Sequence, residues 1–234
     1  MHNPRTTAPT RAAPIEAVLW DFGGVILSSP FEAFNRYEAE LGLPRDLIRR
    51  INARNPDDNA WARMERGEID ADAFAALFEA EARALGGDAA ARLSGRHVLA
   101  LIGGTVRPEM VAALHTVRER FRIACITNNM PAGHGPSMAR SADTAAQIAR
   151  IMALFEHVVE SSKLNMRKPD PRIYRHTCEL MDVAPQACVY LDDLGINLKP
   201  ARAMGMRTIK VESAAQALGE LQALLGMPLL DRTS

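Results

Sequence analysis

The sequence predicts an α/β chain, a doubly wound parallel sheet interrupted by an α-helical insertion. Three observations predict it. Short apolar runs alternate with amphipathic helical patterns. Polar residues, several of them carboxylates, follow directly after three of those runs. One long stretch, residues 28–104, contains no convincing strand.

In chain order, Met1 to Pro14 is rich in Pro, Thr, Ala and Arg and lacks the apolar centre of a signal peptide, so it reads as a loose tail. Ile15 to Trp20 reads as a buried strand, followed by the turn Asp21-Phe22-Gly23-Gly24. The insertion comes next. It is Ala-rich and charged, with helix-length amphipathic segments at Phe31–Leu41, Arg45–Ala53, Ala60–Arg66 and Ala71–Leu85. Four more strand candidates follow, Arg122–Thr127, His157–Glu160, Cys188–Leu191 and Thr208–Val211. Each is short and apolar, as a parallel sheet covered on both faces requires.

Helical patterns separate these strands. Pro108–Arg120 opens with a proline near a permitted first-turn position. Pro171–Met181 has Asp170 as its N-cap and a stripe of Ile173, Tyr174, Cys178 and Met181. Asn197–Met204 and Ala214–Leu225 end at Gly205 and Gly226, the residue type that closes helices in the left-handed conformation. Pro131-Ala132-Gly133-His134-Gly135-Pro136 is the most loop-like internal stretch. The expected division is a tail at 1–14, a core at 15–27 and 105–234, and a helical cap at 28–104.

Composition excludes several function classes. The chain has 234 residues, 47% apolar, with 28 basic and 28 acidic side chains and no net charge. A neutral chain without a basic run argues against nucleic acid and against an anionic membrane as partner. Cys125, Cys178 and Cys188 are odd in number, far apart and without a CxxC pair, which argues against a disulfide framework or a zinc site. A cytoplasmic location is the expectation. The assembly state is not legible, and a homodimer is one option.

Doubly wound sheets bind ligands at the carboxyl ends of their strands. The candidates are therefore Asp21 after the first strand, Thr127-Asn128-Asn129 after the second and Asp192-Asp193 after the fourth. The loop Arg167-Lys168-Pro169-Asp170 lies before the Pro171 helix. A carboxylate can attack phosphorus, and Mg²⁺ on hard oxygen ligands can relieve the repulsion between two anions. A lysine and hydroxyl or amide donors can hold the remaining phosphoryl oxygens. Taken singly, these residues have plainer readings: Asp21 as a turn or cap, Asp192-Asp193 as a solvated turn, Lys168 as a surface lysine, Thr127 as a strand-end hydroxyl. Two adjacent carboxylates at a buried strand end would repel each other without a cation, which favours a metal.

In order along the chain, Asp21-Phe22-Gly23-Gly24-Val25, Thr127-Asn128-Asn129, Lys168-Pro169-Asp170-Pro171 and Leu191-Asp192-Asp193-Leu194-Gly195-Ile196-Asn197 resemble the four motifs of the haloacid dehalogenase (HAD) superfamily. The resemblance runs from about Ile15 to Leu225. It is nearest to the HAD-like domain of acyl-CoA dehydrogenase fusions and to the N-terminal phosphatase domain of soluble epoxide hydrolases. It implies a HAD-like, Rossmann-like core with a helical cap, and a Mg²⁺-dependent hydrolase acting on a small phosphorylated molecule. It implies Asp21 as nucleophile and metal ligand, the Gly23 carbonyl as metal ligand, and Thr127 and Lys168 as catalytic partners. Phe22, Gly23, Asn128 and Asn129 would contact substrate, Asp192 and Asp193 would hold the metal, and Asn197 would support them.

The chain departs from most HAD phosphatases at Gly23, where a second Asp normally serves as general acid and base. Two rival readings follow, a dehalogenase in the same fold and a catalytically weakened module that binds a phosphorylated or CoA-linked partner. His134 is a candidate substitute acid, with a solvated loop histidine as the plainer reading. Trp61 and Met64, three residues apart on a cap helix, read as cap core before they read as specificity residues.

Overall fold

In a computed structural model of the chain, residues 13–130 and 141–229 are described. The loop carrying His134 and most of the expected N-terminal tail lie outside those residues. Five strands form one parallel sheet in the order β3-β2-β1-β4-β5: β1 (Ala17–Trp20), β2 (Arg122–Thr127), β3 (His157–Glu160), β4 (Cys188–Asp192) and β5 (Arg207–Lys210). The first strand is central, flanked by β2 and β4, so the chain winds outward in both directions from it.

Every residue of β1 is buried, and period-two alternation sends neighbours to opposite faces. On one face Val18, Trp20, Ile123, Cys125, Val189 and Leu191 form the core with helices α6 (Pro108–Arg118), α7 (Ala142–Met152) and α11 (Ala214–Leu225). On the other, Ala17, Leu19, Ala124, Ile126 and Tyr190 meet α9 (Pro171–Leu180) and α10 (Gly195–Ala203). The predicted stripe Ile173, Tyr174, Cys178 and Met181 is buried here. The doubly wound α/β architecture predicted from the sequence is the one observed.

Between β1 and α6 lie α1 (Phe31–Glu40), α2 (Leu47–Ala53), α3 (Ala60–Glu65), α4 (Ala71–Ala90) and α5 (Gly95–Ala100). They share their own apolar cluster, built on Phe34, Ile48, Met64, Phe74 and Phe78, with Trp61 packed edge-on between Phe34 and Phe74. The chain enters and leaves this helical insertion through paired linkers: Ser28 N–H donates to Thr105 O at 2.8 Å and Arg107 N–H to Ile26 O at 2.9 Å. These two bonds pair the segments on either side of the insertion.

Local signals set the helix ends. Asp170 accepts from Arg172 N–H at 2.9 Å, with Pro171 in the first turn. A capping box between Ser213 and Gln216 opens α11 and Gly226 at φ 65° closes it. Helix α10 begins at Gly195, two residues ahead of the predicted start, and α4 runs past the predicted Leu85 through a break at Gly87. Helices α5, α7 and the short α8 (Ser161–Leu164) are additions to the sequence expectation.

Candidate active site

The parallel register brings the polar ends of β1, β2 and β4 side by side. Trp20 pairs with Cys125 on one side and Leu191 on the other, so Asp21 lies between the Thr127 and Asp192 strand ends. Its own N–H donates to Leu191 O at 2.8 Å. Asp21 is buried, as are Thr127, Lys168, Asp192 and Asn197.

Lys168 is the hub. Its ammonium is 1% exposed and donates to Asp21 Oδ1 at 2.7 Å, Asp192 Oδ2 at 2.9 Å and the Ile126 carbonyl at 2.9 Å. An ammonium has three donors, and all three are used. Burial alone would lower its pKa, but Asp192 and Asp21 hold it above the ordinary lysine value.

Asp21 Oδ1 also accepts from Phe22 N–H at 2.7 Å. Among the described residues no donor reaches its Oδ2. Burial pushes the Asp21 carboxyl up, Lys168 pulls it down, and Asp192 and Asp193 push it up again.

Asp192 is enclosed by donors. Its Oδ1 takes Leu194 N–H at 2.8 Å and Asn197 Nδ2 at 3.1 Å, and its Oδ2 takes Lys168, Asn197 and the Tyr190 hydroxyl. Asp193 is different. It stands against the backbone of Gly24, so close that a Cβ at Gly24 would collide with its carboxylate. Burial, then the charge of Asp192, pushes its carboxyl up to about 6. Oxygens of Asp21, Asp192 and Asp193 come within 4.8 Å of one another. Three carboxylates against one ammonium leave two negative charges if all are ionised. An all-oxygen donor set with that imbalance suits a hard divalent cation.

The remaining predicted residues fall in four environments. The Phe22 side chain is 1% exposed in the core cluster, so only its backbone faces Asp21. Gly23 is exposed and Gly24 O accepts from Arg107 at 3.0 Å. Asn129 is buried in a separate network, donating to Glu160 Oε1 at 3.3 Å and accepting from Ser162 N–H at 3.1 Å. The Asn128 amide brackets the backbone of Lys168, accepting from its N–H at 2.8 Å and donating to its carbonyl at 3.0 Å. The side chains of Phe22, Asn128 and Asn129 make these contacts within the protein.

Sequence reasoning missed Tyr190 and the cap residue Glu65. Tyr190 shares a strand face with Asp192, two residues on, a period-two signal that was available. Glu65 carried no local signal.

A family model of haloacid dehalogenase-like hydrolases matches residues 15–205. The chain belongs to this family. HAD-like relatives include bifunctional epoxide hydrolase 2 of Sus scrofa, 31% identical over 92% of this chain and 40% of the relative's length. Acyl-CoA dehydrogenase family member 10 of Mus musculus is 32% identical over 91% of this chain and 19% of its own length. The chain thus spans less than half of either relative. A plasmid-encoded phosphoglycolate phosphatase of Cupriavidus necator matches end to end, 27% identical over 95% of this chain and 91% of the relative. Among solved structures, a HAD family enzyme of Bacteroides thetaiotaomicron in complex with magnesium and inorganic phosphate shares the fold, with TM-score 0.54 and 20% identity, covering 88% of this chain and 98% of that one. A dehalogenase with an intermediate complex does so at TM-score 0.63 and 18% identity, covering 90% and 97%. The chain is a HAD-like hydrolase with phosphatases among its relatives. No helix among the described residues is long and apolar enough to cross a membrane.

Proposed function

We propose that this HAD-like hydrolase is a Mg²⁺-dependent phosphatase that transfers the phosphoryl group of a small metabolite to Asp21. The observation that carries the reading is the asymmetry of Asp21. Lys168 and the Phe22 N–H hold Oδ1, while Oδ2 meets no protein donor among the described residues beside an anionic cluster short of two positive charges. The end-to-end match to a phosphoglycolate phosphatase supports phosphoryl chemistry.

Asp21 and Asp193, with the Gly23 carbonyl, would hold the ion. Asp192, whose oxygens are filled by protein donors, supports from behind, which narrows the ligand set read from the sequence. When bound, Mg²⁺ supplies the positive charge that lets a carboxylate approach an anionic phosphoryl group.

Asp21 Oδ2 forms the new P–O bond as the bond to the leaving oxygen breaks, giving an aspartyl-phosphate and the departing alkoxide or aryloxide. Lys168 stays on Oδ1, where it fixes the carboxylate and stabilises the acyl oxygen. Thr127, at the β2 end, is the hydroxyl for a phosphoryl oxygen. Water then attacks phosphorus, releasing inorganic phosphate and restoring Asp21. With glycine at position 23, the departing oxygen takes its proton from water or from the substrate.

Dehalogenation is the second reading, favoured by Gly23 and by the fold shared with a dehalogenase. The charge imbalance opposes it, since a halide would leave beside carboxylates that no protein cation neutralises. One screen separates them: aryl phosphates, acyl phosphates and 2-haloacids, each with Mg²⁺ and with EDTA, for wild type and Asp21→Asn. We expect phosphate release that requires Mg²⁺ and disappears in the variant. Halide release in EDTA would replace the phosphatase reading with a dehalogenase one.

A further inference from the structure

A buried carboxylate of the helical insertion reaches across to the core. Glu65, the last residue of α3, is 7% exposed. Its Oε1 accepts from Trp61 Nε1 on the same helix at 3.0 Å. Its Oε2 crosses to the core, accepting from Asn128 Nδ2 at 3.2 Å and from Arg167 Nε at 2.5 Å. Its backbone carbonyl accepts from the Ser161 hydroxyl of α8. The seating is tight here: a Cβ on Gly67 would lie 2.8 Å from Ser162 O. Arg167 also donates to the Pro56 carbonyl at 3.1 Å, so its side chain is held to the cap at two points.

These contacts converge on one residue. Arg167 directly precedes Lys168 in the chain. Asn128 holds both the N–H and the C=O of Lys168. Flipping the Asn128 amide would set its oxygen against the Glu65 carboxylate and the Lys168 carbonyl, and its NH₂ against the Lys168 N–H. Glu65 therefore reinforces the amide orientation that grips the Lys168 backbone and pins the side chain next to it. Its charge is matched by Arg167, and burial, opposed chiefly by Arg167, pushes its pKa up.

We infer that Glu65 is a positioning residue through which the docked cap fixes Lys168 against Asp21. The inference deepens the phosphatase reading and rests on it for its effect on turnover. Its structural content, that Glu65 orders Lys168, stands independently of the substrate.

The test uses the full chain and two variants, Glu65→Gln and Glu65→Ala, with folding confirmed by circular dichroism. Glutamine keeps a carbonyl acceptor for Asn128 or Arg167; alanine keeps none. The first readout is amide hydrogen exchange at Lys168, whose N–H is held by Asn128. It should accelerate about tenfold in Glu65→Ala, as expected for losing a bond of roughly 1.4 kcal/mol, and less in Glu65→Gln. The second is kcat and KM with an aryl phosphate and Mg²⁺. A lysine displaced from Asp21 should lower kcat by roughly tenfold in Glu65→Ala with KM little changed, and glutamine should recover part of the loss. If alanine does not fold, the glutamine variant alone decides by the same two readouts. Unchanged Lys168 exchange overturns the inference, and so does a raised KM with unchanged kcat, which would make Glu65 a substrate-side cap contact. Wild type inactive on every phosphate, with exchange altered as expected, would instead refute the phosphatase reading and leave the positioning role standing.

Discussion

If the proposed phosphatase activity holds, Gly23→Asp should broaden it from aryl to alkyl phosphates. The perturbation restores a carboxylic acid two residues after the nucleophile. The structure permits it: a Cβ at Gly23 meets no atom within 4 Å, and Gly23 has no positive φ. This separates it from Gly24, whose φ of 76° and contact with Asp193 require glycine. A Cβ is therefore accepted at position 23 without backbone strain. A placed general acid contributes about 10²–10⁴-fold. The new acid adds a fourth carboxylate to a cluster already short of cations, so the lower end, about 10²-fold, is the expected gain. It should fall on alkyl phosphates, because an alkoxide needs a proton to depart and an aryloxide scarcely does. The assay is kcat/KM for a matched pair of aryl and alkyl phosphates, wild type against variant, with saturating Mg²⁺ and melting temperatures checked. Wild type should prefer the aryl ester strongly, and the variant should narrow that preference. Equal wild-type rates on both esters would refute the reasoning by showing that another group already supplies the proton.

Three further outcomes follow from the same geometry. Because burial raises the Asp193 carboxyl to about 6, its ionisation should destabilise the protein as pH rises through that value. In EDTA, wild type should lose roughly 1.4 kcal/mol relative to Asp193→Asn between pH 5 and 8, read from urea melts, and Mg²⁺ should reverse the loss; parallel curves would contradict this. Gly24→Ala, forced into a left-handed conformation and against Asp193, should cost about 1–3 kcal/mol and weaken the Mg²⁺-induced rise in melting temperature. Tyr190→Phe removes a donor from buried Asp192 and should cost about 1.5–3 kcal/mol in denaturant unfolding, with an unchanged midpoint counting against the Tyr190–Asp192 bond.

The fold was legible because its signals are local. Apolar runs such as Val18–Trp20, the N-cap at Asp170 and the stop at Gly226 each act within a few residues of themselves. The strand-end candidates were legible for the same reason, since a strand's last residue must emerge at the ligand-binding edge whatever surrounds it. What could not be read was the direction of side chains after the strand ends. Asn128 and Asn129 are adjacent and chemically identical, yet one grips the Lys168 backbone and the other joins Glu160 and Ser162. Asp192 and Asp193 likewise differ only in which way the chain turns, one into a shell of donors and the other toward Gly24. Glu65 was beyond reach because its partners lie 63 and 102 residues away. Such contacts arise from cap docking, which no short window contains.

The filled valence of Lys168 has a consequence for how charge moves through the proposed reaction. Its three donors are committed to Asp21, Asp192 and Ile126 O, so none is left for an incoming phosphoryl oxygen. The lysine therefore serves the nucleophile first. Holding Oδ1 leaves Oδ2 for the proposed attack and opposes the upward pull of burial on the carboxyl. In the proposed reaction Oδ1 becomes an acyl oxygen once Oδ2 bears the phosphoryl group, and the ammonium that stays on Oδ1 stabilises it. Asp192 keeps the ammonium paired as the charge on Asp21 falls. The two carboxylates of the Asp192-Asp193 pair thus divide the electrostatic work, Asp192 anchoring the protein's own cation and Asp193 standing in the cluster where the proposed Mg²⁺ would bind.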